Sequence, residues 1–386
     1  MKRIKFNIND ILLFISICLI QFAVYTKNVL TVTNNSQNLI NIALGILFVN
    51  ALIRILEIKA TIKQWILYFL IISISVFNFI ITKDGLLLQL SLMLIGSLSI
   101  NFDKLIFKDL IFKLILFIYI YHAQVIGNVG ILYFYRDGVI RNALGFNQPN
   151  ALGFFLLSFF MEFVYLNRKN LKIVNILVSF FPIIYFIINS GCRGAIISIF
   201  IFMIFVLIMF FENKSVKDKK NKAKGVTFNW LIPIFVILTL ISFYITYKYM
   251  NGNNLAIILD NLFSERIYLQ SLFLNLYKVT IFGNEIVYFD TLDNVYMRVL
   301  LNFGIIVWGL YLFIYHSIVK SALEKKDIVM LIIVFVFMIY GLMEWYIIRP
   351  GLNIFLIYFS SYLYNARNKK EIENEKPINF DYNTNL

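Results

Sequence analysis

Arg136, Arg141, Arg193, Arg266, Arg298 and Arg349 all fall at or near the ends of long apolar runs, and two carboxylates, Asp293 and Glu344, share that setting. A guanidinium is planar, permanently charged and forked, which suits bidentate capture of phosphate or carboxylate. Such a set could hold an anionic group and stabilise charge as a bond to it breaks, with a carboxylate nearby to accept a proton.

Four stretches carry these residues. In RDGVIRNALGFNQPNALGF, Arg136 and Arg141 precede Asn147 and Asn150. Asn150 is placed to cap a helix, with Pro149 closing the incoming segment. The plain alternative is a helix cap with two snorkelling arginines. In NSGCRGAIIS, Gly191 and Gly194 flank Arg193 at the start of the next helix. The positive end of a helix dipole repels an arginine, and a bound phosphate would resolve that conflict. A solvated loop arginine is the alternative. In FSERIYLQSLFLNLYKVTIFGNEI, Arg266 opens an aromatic-rich amphipathic stretch, which reads either as part of a site or as an interfacial helix on lipid headgroups. In LDNVYMRVLLNFGII, Asp293 and Asn294 open an apolar run, followed by Tyr296 and Arg298. Asp293 reads as a general base or as an N-cap. Glu344 lies near the end of a run, where an ionisable group is costly and usually functional; the alternative is simple pairing with Arg349.

The elements that must position these residues are membrane helices. Sixty per cent of residues are hydrophobic and 15% charged, which excludes an ordinary soluble domain. Apolar runs long enough to approach a bilayer span recur about twelve times, the least distinct being the fourth, Gly85–Ile100, and the twelfth, Gly351–Tyr364. The expected fold is therefore an all-α, polytopic membrane bundle over residues 1–368, with a polar cytoplasmic tail over 369–386. With the N-terminus inside, 25 of the 35 basic residues fall in inner loops, as the positive-inside rule requires. Lys104, Lys108 and Lys113 form one of those loops. Arginine breaks the rule: the six named above fall on the outer face, which also carries two long segments near 127–149 and 248–293. The net charge of +14 then reports topology rather than nucleic-acid binding. Cys18 and Cys192 are too far apart in the expected fold to frame a disulfide or metal site. His122 and His316 lie near opposite faces.

The ordered set Arg141–Asn150, Ser190–Arg193, Arg266 to Gly283, and Asp293-Asn294 followed by Gly304 resembles the O-antigen polymerase and ligase superfamily, over about Arg136 to Asn353. The resemblance implies use of polyprenyl-pyrophosphate-linked oligosaccharides at the outer face of the bacterial cytoplasmic membrane, without nucleotide sugar, cofactor or required metal. It also implies membrane lipid as environment, with flippase and chain-length regulator proteins as partners. Ligases of the group carry a His-Asn pair, nine residues, then Gly-x-x-Gly; here Asp293 replaces the His and Val307 the last Gly. The Asp-Asn-x-Tyr form with Tyr296 is similar to capsular and exopolysaccharide repeat-unit polymerases of Gram-positive bacteria. Arg193, Arg266, Asp293 and Glu344 are then the expected catalytic set. Arg136, Arg141, Asn147, Asn150, Asn294, Tyr296, Arg298 and Arg349 are the expected substrate contacts. A ligase with another acceptor and a lipid-linked sugar transporter are the rival readings.

Overall fold

Backbone polar groups inside a hydrocarbon layer can be satisfied within helices, and this chain folds accordingly. The structure is a computed structural model that describes residues 8–27, 33–58, 60–127, 133–136, 139–170, 172–218, 228–286 and 292–365. The first half contributes α1 (Ile8–Tyr25), α2 (Thr33–Glu57), α3 (Ile62–Thr82), α4 (Leu86–Gly96) and α5 (Phe102–Val125). A two-stranded antiparallel hairpin, β1 (Tyr133–Arg136) and β2 (Val139–Asn142), follows, with Tyr133 opposite Asn142. It is the one departure from all-helical architecture among the described residues. Then come α6 (Pro149–Leu166), α7 (Ile173–Ser190), α8 (Arg193–Asp218), α9 (Ile234–Met250), α10 (Asn254–Phe263) and α11 (Arg266–Leu276). The chain closes with α12 (Val295–Arg298), a π turn over Val299–Phe303, α13 (Gly304–Glu324), α14 (Ile328–Tyr340) and α15 (Tyr358–Asn365).

Among the described residues, seven helical stretches are long and apolar enough to cross a bilayer, or eight if α9 and α10, bent by 115° at their junction, count as one broken span. The chain is a helical membrane bundle. Four of the expected spans take other forms. The fourth, α4, has 11 residues, ten of them buried, so it is a core helix wrapped by others. The eleventh, α14, has 13 residues, and the twelfth is a helical piece over Ile354–Tyr364. The fifth, α5, has 24 residues, but Asp103, Lys104, Lys108, Asp109 and Lys113 interrupt its apolar run.

Lys113 corrects the loop assignment. It lies mid-way along α5, fully buried, and its Nζ is 3.0 Å from Asp109 Oδ2 and 3.2 Å from Ser158 Oγ, with Glu162 as a third acceptor. Gln21 of α1 donates to Asp109 at 2.8 Å. A lysine is buried this completely only when paired, and the pairing ties α1, α5 and α6 together.

The segment after α9 is folded onto the bundle. Residues past α11 dock on the π turn through main-chain bonds: Ile305 N donates to Thr280 O at 3.0 Å and Asn284 N to Asn302 O at 3.0 Å. Two glycines permit that approach. A Cβ on Gly283 would meet Asn302 O at 2.1 Å, one on Gly304 would meet Gly283 N at 2.4 Å, and both have φ near +90°. Only glycine takes that backbone without steric cost. Asn78 of α3 clamps the joint by donating to Phe282 O and Phe303 O, each at 2.9 Å.

Candidate functional site

Arg266 is the centre of the site. It is the first residue of α11, and its placement follows from the turn before it. Ser264 and Glu265 both take left-handed backbone, with φ of 62° and 63°, which non-glycine residues adopt at a cost. Asp260 holds the turn: its Oδ1 accepts from Ile267 N at 2.8 Å and Tyr268 N at 3.0 Å, satisfying the open N-terminus of α11. The side chain of Arg266 then points inward, 8% exposed, with Nη2 donating to Glu344 Oε1 and Nε to Asp293 Oδ2 at 3.4 Å. Burial would push the guanidinium pKa down, but Glu344 and Asp293 outweigh it and hold it above its ordinary value. Three candidate residues separated by 27 and 78 positions in sequence are thereby joined.

The two carboxylates are not equivalent. The Glu344 side chain is 2% exposed, while that of Asp293 is 17% exposed. Asp293, together with Arg266, Asn150, Asn261, Ser264, Glu265 and Leu269, lines a pocket of about 550 Å³; Glu344 does not. Glu344 is thus the anchor of Arg266, whereas Asp293, like the exposed Glu265, is a carboxylate that a molecule in the pocket would meet.

Arg141 and Arg193 reach this pocket through two of its lining residues, Asn150 and Ser264. Arg141 of β2 donates through Nη2 to Asn150 Oδ1 at 2.9 Å and through Nε to Ser190 O at 3.0 Å. It has no carboxylate within 4 Å among the described residues, and burial pulls its pKa down. Arg193, exposed at the start of α8, reaches Ser264 Oγ at 3.4 Å. Asn150 does not cap α6: Gln148 holds the N-cap position with Pro149 next, which frees the Asn150 amide for Arg141. Gln148 itself donates to Tyr346 Oη. Asn147 is half-buried nearby, with its Oδ1 unpartnered.

Other expected contacts lie elsewhere. Asn294, and not Asp293, is the N-cap of α12, accepting from Met297 N at 3.1 Å and donating to Ser242 Oγ at 3.0 Å. Tyr296 is fully buried, and its hydroxyl donates to Met338 O at 2.7 Å. Both serve packing, because the first turn of α12 rotates them into the bundle. Arg136 ends β1, but its side chain lies outside the described residues. Arg298 and Arg349 do not pair with Glu344; they stack on Trp345, at 3.7 and 3.6 Å from the ring centre. Asp260, Ser264 and Trp345 have no local sequence signal marking them, since each acts on partners distant in the chain or through an irregular turn.

No group of three or more His, Cys, Asp or Glu residues with metal-binding proximity occurs among the described residues. Comparison with known protein families, with curated proteins and with solved structures found no match to this chain.

Proposed function

We propose that this chain is a membrane glycosyltransferase that polymerises polyprenyl-pyrophosphate-linked oligosaccharide repeats into a surface polysaccharide, at the outer face of a bacterial cytoplasmic membrane. The observation that carries the reading is the junction of Arg266, Asp293 and Glu344 beside a polar pocket whose lining residues Asn150 and Ser264 are bonded by Arg141 and Arg193. In the reaction, Asp293 accepts the proton of an acceptor sugar hydroxyl. The hydroxyl oxygen attacks the anomeric carbon of the donor, and the bond from that carbon to the pyrophosphate breaks. The electron pair leaves with the lipid pyrophosphate, whose charge the neighbouring arginines stabilise. A single displacement of this kind inverts the anomeric centre. Arg266 orients Asp293 through the contact of its Nε with Oδ2.

The test is incubation of the purified protein with a synthetic lipid-pyrophosphate oligosaccharide. A ladder of products, spaced by one repeat, is the expected result. A single added unit on a different acceptor would favour a ligase, and substrate movement without new bonds would favour a transporter.

A further inference from the structure

The Lys113 cluster has more acceptors than donors, and its charges do not cancel. Asp109 and Lys113 of α5 and Glu162 of α6 are all fully buried, so two carboxyls converge on one ammonium. With both ionised, two negative charges face one positive charge inside the bundle. The three N–H groups of the ammonium are matched by three oxygens, from Asp109, Glu162 and Ser158. The Ser158 hydroxyl is itself spent on Phe155 O at 3.0 Å, and the Gln21 amide donates to Asp109 Oδ1 at 2.8 Å. Glu162 Oε2 and Gln21 Oε1 remain, both buried acceptors without a donor among the described residues. A buried acceptor left unpaired bears the full cost of its desolvation, and an unbalanced charge among membrane helices costs more. The Glu162 carboxyl is also within hydrogen-bonding reach of the Asp109 carboxyl. Two carboxyls make that contact only when one of them carries a proton.

The surrounding elements supply no second cation among the described residues. On α1, Cys18 and Tyr25 face the cluster, and the buried Tyr25 hydroxyl is likewise unpartnered; Asp10 pairs with Arg54 at the other end. On α5, Lys104, Lys108 and His122 are exposed. Of the helices packed on α6, α7 carries only the exposed Tyr185 and α14 only Tyr340, which sits beside Glu344. The charged residues of α8 are confined to its two ends.

We propose that this cluster is a proton-binding site, in which one proton drawn from water is shared by Glu162 and Asp109 and cancels the charge that Lys113 leaves unbalanced. On Glu162 Oε2 the proton turns an orphan acceptor into a donor, with Asp109 or Gln21 Oε1 to receive it. Release breaks the O–H bond, leaves its electron pair on the carboxylate and returns the proton to water. One net negative charge then lies between α1, α5 and α6, so the joint is closed by protonation and loosened by its loss. Direct contact between the carboxyls favours a proton over a metal ion. The inference does not rest on the proposed polymerase chemistry.

The test is infrared spectroscopy of the full chain in dodecyl maltoside, a detergent without a carbonyl group. At neutral pH the wild type should show the C=O stretch of a protonated carboxyl, shifted in D2O. Asp109→Asn and Glu162→Gln should each remove that band, because either leaves a single carboxylate matched by Lys113. Gln21→Leu keeps all three charged residues and should shift the band without removing it, and it serves if neither charge variant folds. Raising the pH should abolish the band and speed amide hydrogen exchange in α5 and α6 of the wild type, with no such acceleration in Glu162→Gln beyond the ordinary effect of pH on exchange. Absence of the band at neutral pH, its survival in either charge variant, or a band that Gln21→Leu leaves unmoved would overturn the inference. So would its loss when sodium chloride replaces choline chloride at constant pH, which would assign the site to a metal ion. None of these readings depends on polymer formation, so the site and the proposed function stand or fall separately.

Discussion

At the residue scale, the division of labour between Asp293 and Glu344 is open to direct measurement. Because Asn294 supplies the helix cap, replacing Asp293 removes no capping bond. Asp293→Asn should therefore cost less stability than loss of the closer Glu344 charge, and lower the polymerisation rate about a hundredfold or more, the usual loss with a general base. Wild-type rates in that variant would move the base elsewhere. Glu344→Gln should act the other way. It leaves the buried Arg266 without its close charged partner, a defect that costs on the order of 3–5 kcal/mol when a buried pair is broken. The expected readout is a lower unfolding midpoint and reduced membrane abundance. Asp293 and Glu344 were both readable as candidates, since each is an acidic residue at the end of an apolar run. Which one faces the pocket was not readable, because exposure depends on how distant segments pack around Arg266.

At the scale of elements, two joints make contrasting demands. The docking of the segment after α11 on the π turn needs glycine at 283. Gly283→Ala combines a left-handed φ with a backbone collision, so its cost should exceed the roughly 1–2 kcal/mol of the φ term alone. Gly252→Ala is the control, having φ of +69° and nothing within 4 Å of the added carbon. Limited proteolysis should cut the Gly283→Ala segment faster and leave Gly252→Ala close to wild type; equal behaviour would show that the joint is not tight. The second joint is the buried Lys113 cluster. Lys113→Met strips two buried carboxylates of their cation and should be strongly destabilising. Adding Asp109→Asn and Glu162→Gln should recover much of the loss, because neutral side chains of similar size tolerate the same burial. No recovery by thermal unfolding in detergent would mean that the cluster does more than pair charge.

For the whole molecule, the proposed orientation places the Arg266 site outside. A cysteine at Asn261, an exposed pocket-lining position, should react with an impermeant thiol reagent on intact cells. One at Asn221, in the lysine-rich segment outside the described residues, should not. Labelling at Asn221 would invert the proposed topology. The proposed charge stabilisation also runs through arginines alone, so chelators should leave polymer formation intact. Complete loss in EDTA with recovery in magnesium or manganese would show that a divalent ion carries charge assigned here to guanidinium groups.

The membrane character of the chain, its helical build and the candidate set around Arg266 all follow from the sequence, because hydropathy over a short window and the local company of an arginine are properties of the chain itself. Tertiary structure decided the pairings. Lys113 looked like a loop cation until α1 and α6 closed on it. Asn294 and Tyr296 looked like substrate contacts until the rotation of α12 turned them inward. Arg266 became a positioning cation only once Asp293 and Glu344, 27 and 78 positions away, had taken their places. Burying an apolar face fixes which runs become helices, whereas the rotation and depth of each helix are set by packing against the others, and that packing alone determines which charges meet.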